Sequence, residues 1–358
     1  MKIVWLCNNA PEDACEAFSI QKQNSGGWMQ SSLEMIKQNP NIELTVAFIT
    51  EKNLPKKCVR VSNVGYWAVA RKGKHLWEYS EEQENDFIEL FNHVQPDVIH
   101  IWGTEYPHTL SCVRAAEKVK IIDRVAISIQ GLVSVYALHY LTGLPVKVLK
   151  RYTLKEIITQ STLTMQQKHF ARRGEYEVSA IKAAHSIIGR TAWDHICTKQ
   201  INPKAKYYVN NESLRKEFYC DTWKYEDAER HSVVVSQANY PVKGFHYCVE
   251  AVRIVKEFYP DVKVYVCGSN DTYKTGLKAS TYGLYILDRI KKYGLQNNIV
   301  FLGSQNAGQM KQRMLRGNVF VSPSTIENSP NSVGEAMLLG VPIVSSNVGG
   351  ISSMLDNG

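Results

Sequence analysis

Two glutamates eight positions apart, Glu327 and Glu335, bracket a Ser-Pro-Asn-Ser run near the end of this 358-residue chain. A carboxylate is repelled by a phosphate, but it accepts two hydrogen bonds from a vicinal diol, the pattern that sugar hydroxyls present. Between the two, the backbone amides of Asn331, Ser332 and Val333 fall where a helix would begin after Pro330, and a helix N-terminus is a ready anion site. The spacing points to a ligand that carries both phosphate and sugar; a helix with an acidic first turn explains the same residues without one. Lys243, in Tyr240-Pro241-Val242-Lys243-Gly244, stands at a loop–helix junction from which an ammonium can meet a diphosphate as a point charge. Arg190 ends another apolar run, and its guanidinium suits a diphosphate or an acidic acceptor.

Such residues need a frame. Val319 to Val321 and Val341 to Val344 are short apolar runs that read as buried parallel strands, with 332–339 as the helix between them. Similar runs occur at 3–7, 43–50, 98–102, 125–129, 185–189, 232–236, 262–267 and 298–302. Helices are expected at 29–37, 81–94, 175–184, 280–293 and 309–316, the second of them amphipathic. Strands alternating with helices predict an α/β fold with parallel sheets. The length suggests about two domains, and we divide the chain into 1–210 and 211–358, with 206–211 as a strand-like piece at the crossing. Residues 51–80 give no readable pattern, and 136–173 reads as one long, basic, helical stretch. The Gly26-Gly27 pair precedes a helix, where glycines let backbone approach a ligand closely; a plain turn is the alternative. Thr104 and Glu105 lie just past a strand end and are placed to meet an acceptor, and Gln130 follows the run 125–129. His100 lies inside an apolar run and reads as packing, and His108 heads a helix.

The run Glu327-x7-Glu335, then Ala336-Met337-x2-Gly340-x-Pro342-Ile343-Val344, resembles the motif of GT-B glycosyltransferases of the family-4 type, the retaining group that uses nucleotide-sugars. The resemblance extends over nearly all of the chain. It implies two Rossmann-like domains facing across a cleft, the donor held mainly by the second and the acceptor by the first. Glu335 would hold the ribose hydroxyls, Glu327 the donor sugar, and the amides of Asn331, Ser332 and Val333 sugar or phosphate oxygens. Lys243, aided by Arg190, would stabilise the departing diphosphate, and Gly303 would lie beside the base through backbone contacts. Gly26 and Gly27 would lie near the diphosphate and acceptor, and Thr104, Glu105 and Gln130 on the acceptor side. Two residues depart from the pattern: Gln130 stands where many relatives have a histidine, and Gln237 where an arginine is expected. Glutamine cannot take a proton near neutral pH, so the implied reaction is a front-face transfer in which the leaving phosphate accepts the acceptor's proton. Relatives continue through one or two further helices, so the second domain is expected to lack its usual final ones. A comparable basic–apolar stretch in the family faces a membrane or a lipid-linked acceptor; a solvated helix face explains 136–173 equally well. A GT-B epimerase, a phosphorylase and a non-catalytic sugar-nucleotide sensor are the alternatives.

Composition narrows the classes. At 44% hydrophobic residues the chain can bury large cores, which excludes a disordered protein. Eight cysteines without a CxxC pair read as reduced thiols of a cytoplasmic protein, acting there or at the inner face of the membrane. No apolar run approaches the about 18 residues of a membrane span. The net charge of +8 permits attraction to anionic lipid or phosphorylated substrates; without a recognition module, nucleic acid is not expected as a partner. No aspartate pair is spaced as DxD, so neither a metal nor any cofactor beyond the donor is called for. A hydrolase with two flanking carboxylates fits poorly, since Glu335 lies within a helix beside an anion site.

Overall fold

The computed structural model describes residues 1–22 and 27–356. They group into two compact units, Met1–Val135 with Phe170–Ser213, and Tyr136–His169 with Leu214–Gly358.

The first unit is built on strands β1 (Lys2–Cys7), β2 (Glu43–Thr50), β3 (Cys58–Val61), β4 (Val64–Ala70), β5 (Val98–Trp102), β6 (Val125–Ser128), β7 (Ser186–Gly189) and β8 (Lys206–Val209). Their order is β3-β4-β2-β1-β5-β6-β7-β8, parallel throughout except the β3–β4 pair. Side chains alternate across a strand, and β1 shows the result: Val4 and Leu6 enter one core with Phe87, Leu90 and Ile181. Ile3, Trp5 and Cys7 enter another with Phe48 and Tyr66. Both faces are covered, which is why the strands read as unbroken apolar runs. The order reverses between β1 and β5, and their carboxyl ends therefore border a crevice suited to ligands.

The second unit repeats the scheme with β9 (Glu229–Val235), β10 (Lys263–Cys267), β11 (Ile299–Gly303), β12 (Gly317–Ser322) and β13 (Ile343–Ser345). The order is β11-β10-β9-β12-β13, all parallel. Helices Phe245–Phe258 and Thr281–Lys292 pack Val249, Val252, Ile286 and Ile290 against Val235, Val264 and Val266. Helices Ala307–Leu315 and Asn331–Leu339 pack Met314, Val333, Ala336 and Leu339 against Val234 and Phe320 on the opposite face. The reversal falls between β9 and β12, so the loops after Val235 and Ser322 emerge side by side.

Two features differ from the sequence expectations, and two others are now filled in. Residues 136–173 are not one helix: they form the end of Val133–His139, then Val146–Leu149, Leu154–Ile158 and the start of Leu163–Ala183. Gly143 breaks the run at φ +75°, and a Cβ there would lie 2.1 Å from the Tyr247 hydroxyl; Thr153 caps the third helix by accepting from the Glu156 amide. Residues 136–169 also group with the second unit, not with the rest of 1–210. Leu144, Val148 and Leu163 complete its core, and the buried Glu156 carboxylate accepts from the Thr281 amide (2.8 Å) and hydroxyl (2.6 Å). The strand-like piece expected at 206–211 is the edge strand β8 over 206–209, paired with β7, and the unreadable 51–80 region holds the β3–β4 hairpin.

Candidate functional site

In the second unit the loops after β9 and β12 are locked together by backbone. Pro241 opens a short 3-10 turn ending at Lys243, and Gly244 follows at φ +64°. A Cβ on Gly244 would lie 1.8 Å from the Pro323 carbonyl oxygen, so only glycine lets the loops approach this closely. The Thr325 amide donates to the Val242 carbonyl at 2.8 Å. This contact sets Lys243 against Glu327: Nζ donates to Oε1 at 2.5 Å, and the Ser324 hydroxyl donates to the same oxygen at 2.9 Å. Side-chain exposures of 17% and 8% make this a mostly buried pair. Burial alone would push the Lys243 ammonium down, but the Glu327 carboxylate and Tyr240 outweigh it and hold it above the ordinary lysine value. Glu327 is fixed from behind, since Gly349 sits at φ +55° against its carbonyl and the Gly350 amide donates to that oxygen at 3.0 Å. The next amide, Asn328 N, donates to the Tyr136 hydroxyl at 3.1 Å, and the Thr325 hydroxyl donates to the His139 carbonyl at 3.2 Å. Residues 136–139 thus brace the loop.

Helix Asn331–Leu339 starts after Pro330 without a side-chain cap. The Val333 amide turns back to the Pro330 carbonyl at 3.0 Å, so of the three amides expected to face a ligand, this one is bound within its own first turn. Glu335, one turn on, is 3% exposed and engaged by Arg215 in a bidentate pair, Nε to Oε1 at 2.6 Å and Nη2 to Oε2 at 2.7 Å. Burial pushes its carboxyl up while Arg215 pulls it back down. Gly303 ends β11 at φ +77°, its carbonyl accepting from the Gly268 amide at 2.9 Å. Gln237, just past β9, is exposed.

The first unit gathers its own polar cluster at strand ends. The Asn8 side chain, after β1, donates to Glu105 Oε2 at 3.3 Å and meets His108 Nε2 through its Oδ1 at 2.7 Å. Burial raises the Glu105 carboxyl and lowers His108 to about 3. Gln130, after β6, donates to Glu212 Oε1, and Arg190, after β7, donates to Oε2 of the same carboxylate at 3.0 Å. Arg190 and Glu212 are 7% and 4% exposed, so the cation expected for a diphosphate is already neutralised. Thr104 is wholly buried and donates to Glu177 Oε2 at 2.6 Å. Glu177 also accepts from the amides of Val133 (3.0 Å) and Ser134 (2.9 Å) and from the Ser134 hydroxyl (2.6 Å). Burial pushes its carboxyl up to about 7 against those donors. The expected acceptor role of Thr104 therefore gives way to a bond that ties the loop after β6. His100 packs as expected, its Nε2 2.7 Å from the Ser128 hydroxyl and its ring beside Trp5 and Trp102; burial lowers it to about 4. Gly27 opens helix Gly27–Lys37, and Gly26 lies outside the described residues.

Sequence reasoning missed Arg215, Glu212 and Tyr136. Each has a partner far along the chain, Glu212 with Gln130 at 82 positions, Arg215 with Glu335 at 120 and Tyr136 with Asn328 at 192, and no local pattern announces them. Among the described residues, no group of three or more His, Cys, Asp or Glu side chains is placed to hold a metal ion, and no helix is long and apolar enough to cross a membrane.

Two Rossmann-like units with these strand orders define a GT-B fold, and solved structures agree. Sucrose-phosphate synthase from Thermosynechococcus elongatus superposes with a TM-score of 0.63 at 12% identity, over 98% of this chain and 82% of that one. A solved structure of trehalose-6-phosphate from E. coli bound with UDP-2-fluoro glucose, as it is described, gives 0.59 at 10% identity over 99% of this chain and 86% of that one. Residues 224–358, within the second unit, match the family model of glycosyl transferases group 1; the chain has a GT-B fold, and this stretch of it is similar to that group. The phosphatidylinositol N-acetylglucosaminyltransferase gpi3 subunit of Schizosaccharomyces pombe is 26% identical over 155 residues, 43% of this chain and 32% of that protein. An uncharacterized glycosyltransferase of Methanocaldococcus jannaschii is 28% identical over 130 residues, 36% and 30% respectively. The matched stretch spans about a third of the length of these curated relatives.

Proposed function

We propose that this chain transfers a sugar from a nucleotide diphosphate-sugar to a hydroxyl acceptor, with retention at the anomeric carbon and without a metal. The Lys243–Glu327 pair, locked at the adjoining ends of β9 and β12, carries the reading. A cation and a carboxylate sharing one bond form a neutral, mostly buried site that a diphosphate-sugar can divide. The phosphate draws Lys243, and the freed Glu327 accepts from a donor-sugar hydroxyl. As the anomeric carbon–phosphate oxygen bond breaks, its electron pair leaves with the diphosphate, whose growing charge Lys243 stabilises. The acceptor oxygen bonds to the same face of the carbon, and its proton passes to a phosphate oxygen. Glu335 anchors the ribose, the Asn331 and Ser332 amides face phosphate or sugar oxygens, and Gly303 lies beside the base. Glu105 and Gln130 serve the acceptor side, and Arg190, spent on Glu212, braces that cluster.

The acceptor is proposed to be lipid-linked, in polysaccharide or glycolipid synthesis at the cytoplasmic face of a membrane. Val146, Tyr152, Leu154, Ile157 and Ile158 are exposed among Lys147, Lys150 and Arg151, while the one acid of this stretch, Glu156, is buried. Apolar side chains amid basic ones suit an anionic lipid surface. Calorimetric titration with UDP, GDP, ADP and their hexose conjugates tests the donor assignment. One nucleotide is expected to bind tightly and to weaken about 10-fold in Glu335→Ala, near 1.4 kcal/mol. Failure of every nucleotide to bind would overturn it, and sugar 1-phosphate as a product would mark a phosphorylase instead.

A further inference from the structure

We infer that Arg215 is the positioning residue for Glu335, holding its carboxylate so that the acceptor positions it leaves unfilled can meet a ribose diol. This rests on the reading of Glu335 as the ribose anchor. Arg215 belongs to a segment shaped for the purpose. The Phe218 amide donates to the Arg215 carbonyl at 3.1 Å, and the guanidinium lies over the Phe218 ring, 4.7 Å from its centroid. Phe218 is itself wholly buried with Val333 and Ala336 of the glutamate's own helix. A Cβ on Gly334 would meet the Leu214 side chain at 2.9 Å, so this segment lies directly against the turn that carries Glu335. The guanidinium is thereby held against the carboxylate and makes both bonds, one to each oxygen, a two-point contact that a lysine cannot reproduce. An ionised carboxylate has about four acceptor positions. Arg215 takes one on each oxygen, which leaves one on each for two neighbouring hydroxyls.

The pair also keeps Glu335 in its accepting form. The carboxylate is buried, which favours the proton, and the other charged group facing it is Glu217, which pushes the same way. Arg215 alone opposes them. Without it, Glu335 would retain a proton at higher pH and would present one acceptor fewer to the diol.

The test measures binding of UDP, ADP and GDP and of their 2′-deoxy counterparts by calorimetry at pH 6 and pH 8.5. Wild type, Arg215→Gln, Arg215→Lys and Glu335→Gln are compared. Wild type is expected to prefer the ribonucleotide over its 2′-deoxy form by about 10-fold, the worth of one good hydrogen-bonded group to an ion. Arg215→Gln should lose most of that preference at pH 6 and recover part of it at pH 8.5, where Glu335 ionises unaided. Arg215→Lys should fall between, and it carries the same comparison should the glutamine variant fail to fold. An equal, pH-independent loss for ribo and deoxy ligands in the Arg215 variants would overturn the inference and reduce Arg215 to a packing residue. Unchanged ribonucleotide affinity in Glu335→Gln would instead sink the ribose reading on which it stands.

Discussion

Both sheets gather charged side chains at their carboxyl ends, yet the two units hold their buried carboxylates in different ways. In the second unit Glu327 and Glu335 are each held by a cation, Lys243 and Arg215. In the first, Glu177 is held by four uncharged donors, and Glu212 is shared between an amide and Arg190. The difference separates tasks. A cation can be shared with an incoming phosphate and leaves a carboxylate free to accept elsewhere. A carboxylate filled by backbone amides and hydroxyls has no such freedom, because giving up its donors strands buried N–H groups at about 1–3 kcal/mol each. Glu177 is therefore a fastener, and Glu156 on Thr281 is its counterpart in the second unit.

Substitutions at the two kinds of carboxylate sharpen this contrast. The largest effect is expected from Lys243→Met: turnover of the nucleotide-sugar, followed by release of the nucleoside diphosphate, should fall about 10²- to 10³-fold. Its melting temperature should fall as well, because Glu327 is left buried without its cation, whereas Glu177→Ala strands the Val133 and Ser134 amides without touching the nucleotide site. For Glu177→Ala a loss of about 3 kcal/mol in denaturant unfolding is expected, with nucleotide affinity in the folded protein unchanged. If Glu177→Ala abolished nucleotide binding while folded, the separation of roles would fail. Gly244→Ala should cost about 2–3 kcal/mol, since it combines a left-handed backbone with a clash against Pro323, and should weaken nucleotide binding with it.

The pH dependence of stability gives a smaller effect of definite sign. The Glu177 carboxyl titrates near about 7 in the folded chain, above the ordinary carboxylate range. Between about pH 5 and about 7 the folded state still holds a proton that the unfolded state has lost, so this group's contribution is complete at the acid end and declines as pH rises through that range. Thermal melts across that range should show the decline, and Glu177→Gln should flatten it. Smallest of all, Lys147→Glu with Lys150→Glu should leave melting and nucleotide affinity unchanged while reducing co-sedimentation with vesicles rich in anionic lipid; undiminished co-sedimentation would remove the membrane reading.

What the sequence showed and hid follows from the range of each interaction. Parallel strands buried on both faces are local apolar runs, so β1, β5, β9 and β12 could be read directly. Lys243 and Glu327 could be placed in strand-end loops because Pro241, Gly244 and Pro330 mark those loops. The β3–β4 hairpin was not legible, since Cys58–Val61 alternates exposed and half-buried residues among lysines. Nor was the allegiance of 136–169, which depends on Leu144, Val148 and Leu163 finding a core built a hundred residues later. Arg190 looked available because nothing near it in sequence reveals that Glu212 returns to it.

The path of the chain bears on how such a molecule can be recombined. Because it passes between the units at 135/136, 169/170 and 213/214, a single cut at 213 does not yield an exchangeable module. A chimera that took only 214–358 would arrive without Leu144, Val148 and Leu163, without the glutamate that fastens Thr281, and without the tyrosine behind Asn328. A graft that transplants the donor-side unit must carry 136–169 along with it, so the portable piece is discontinuous in sequence.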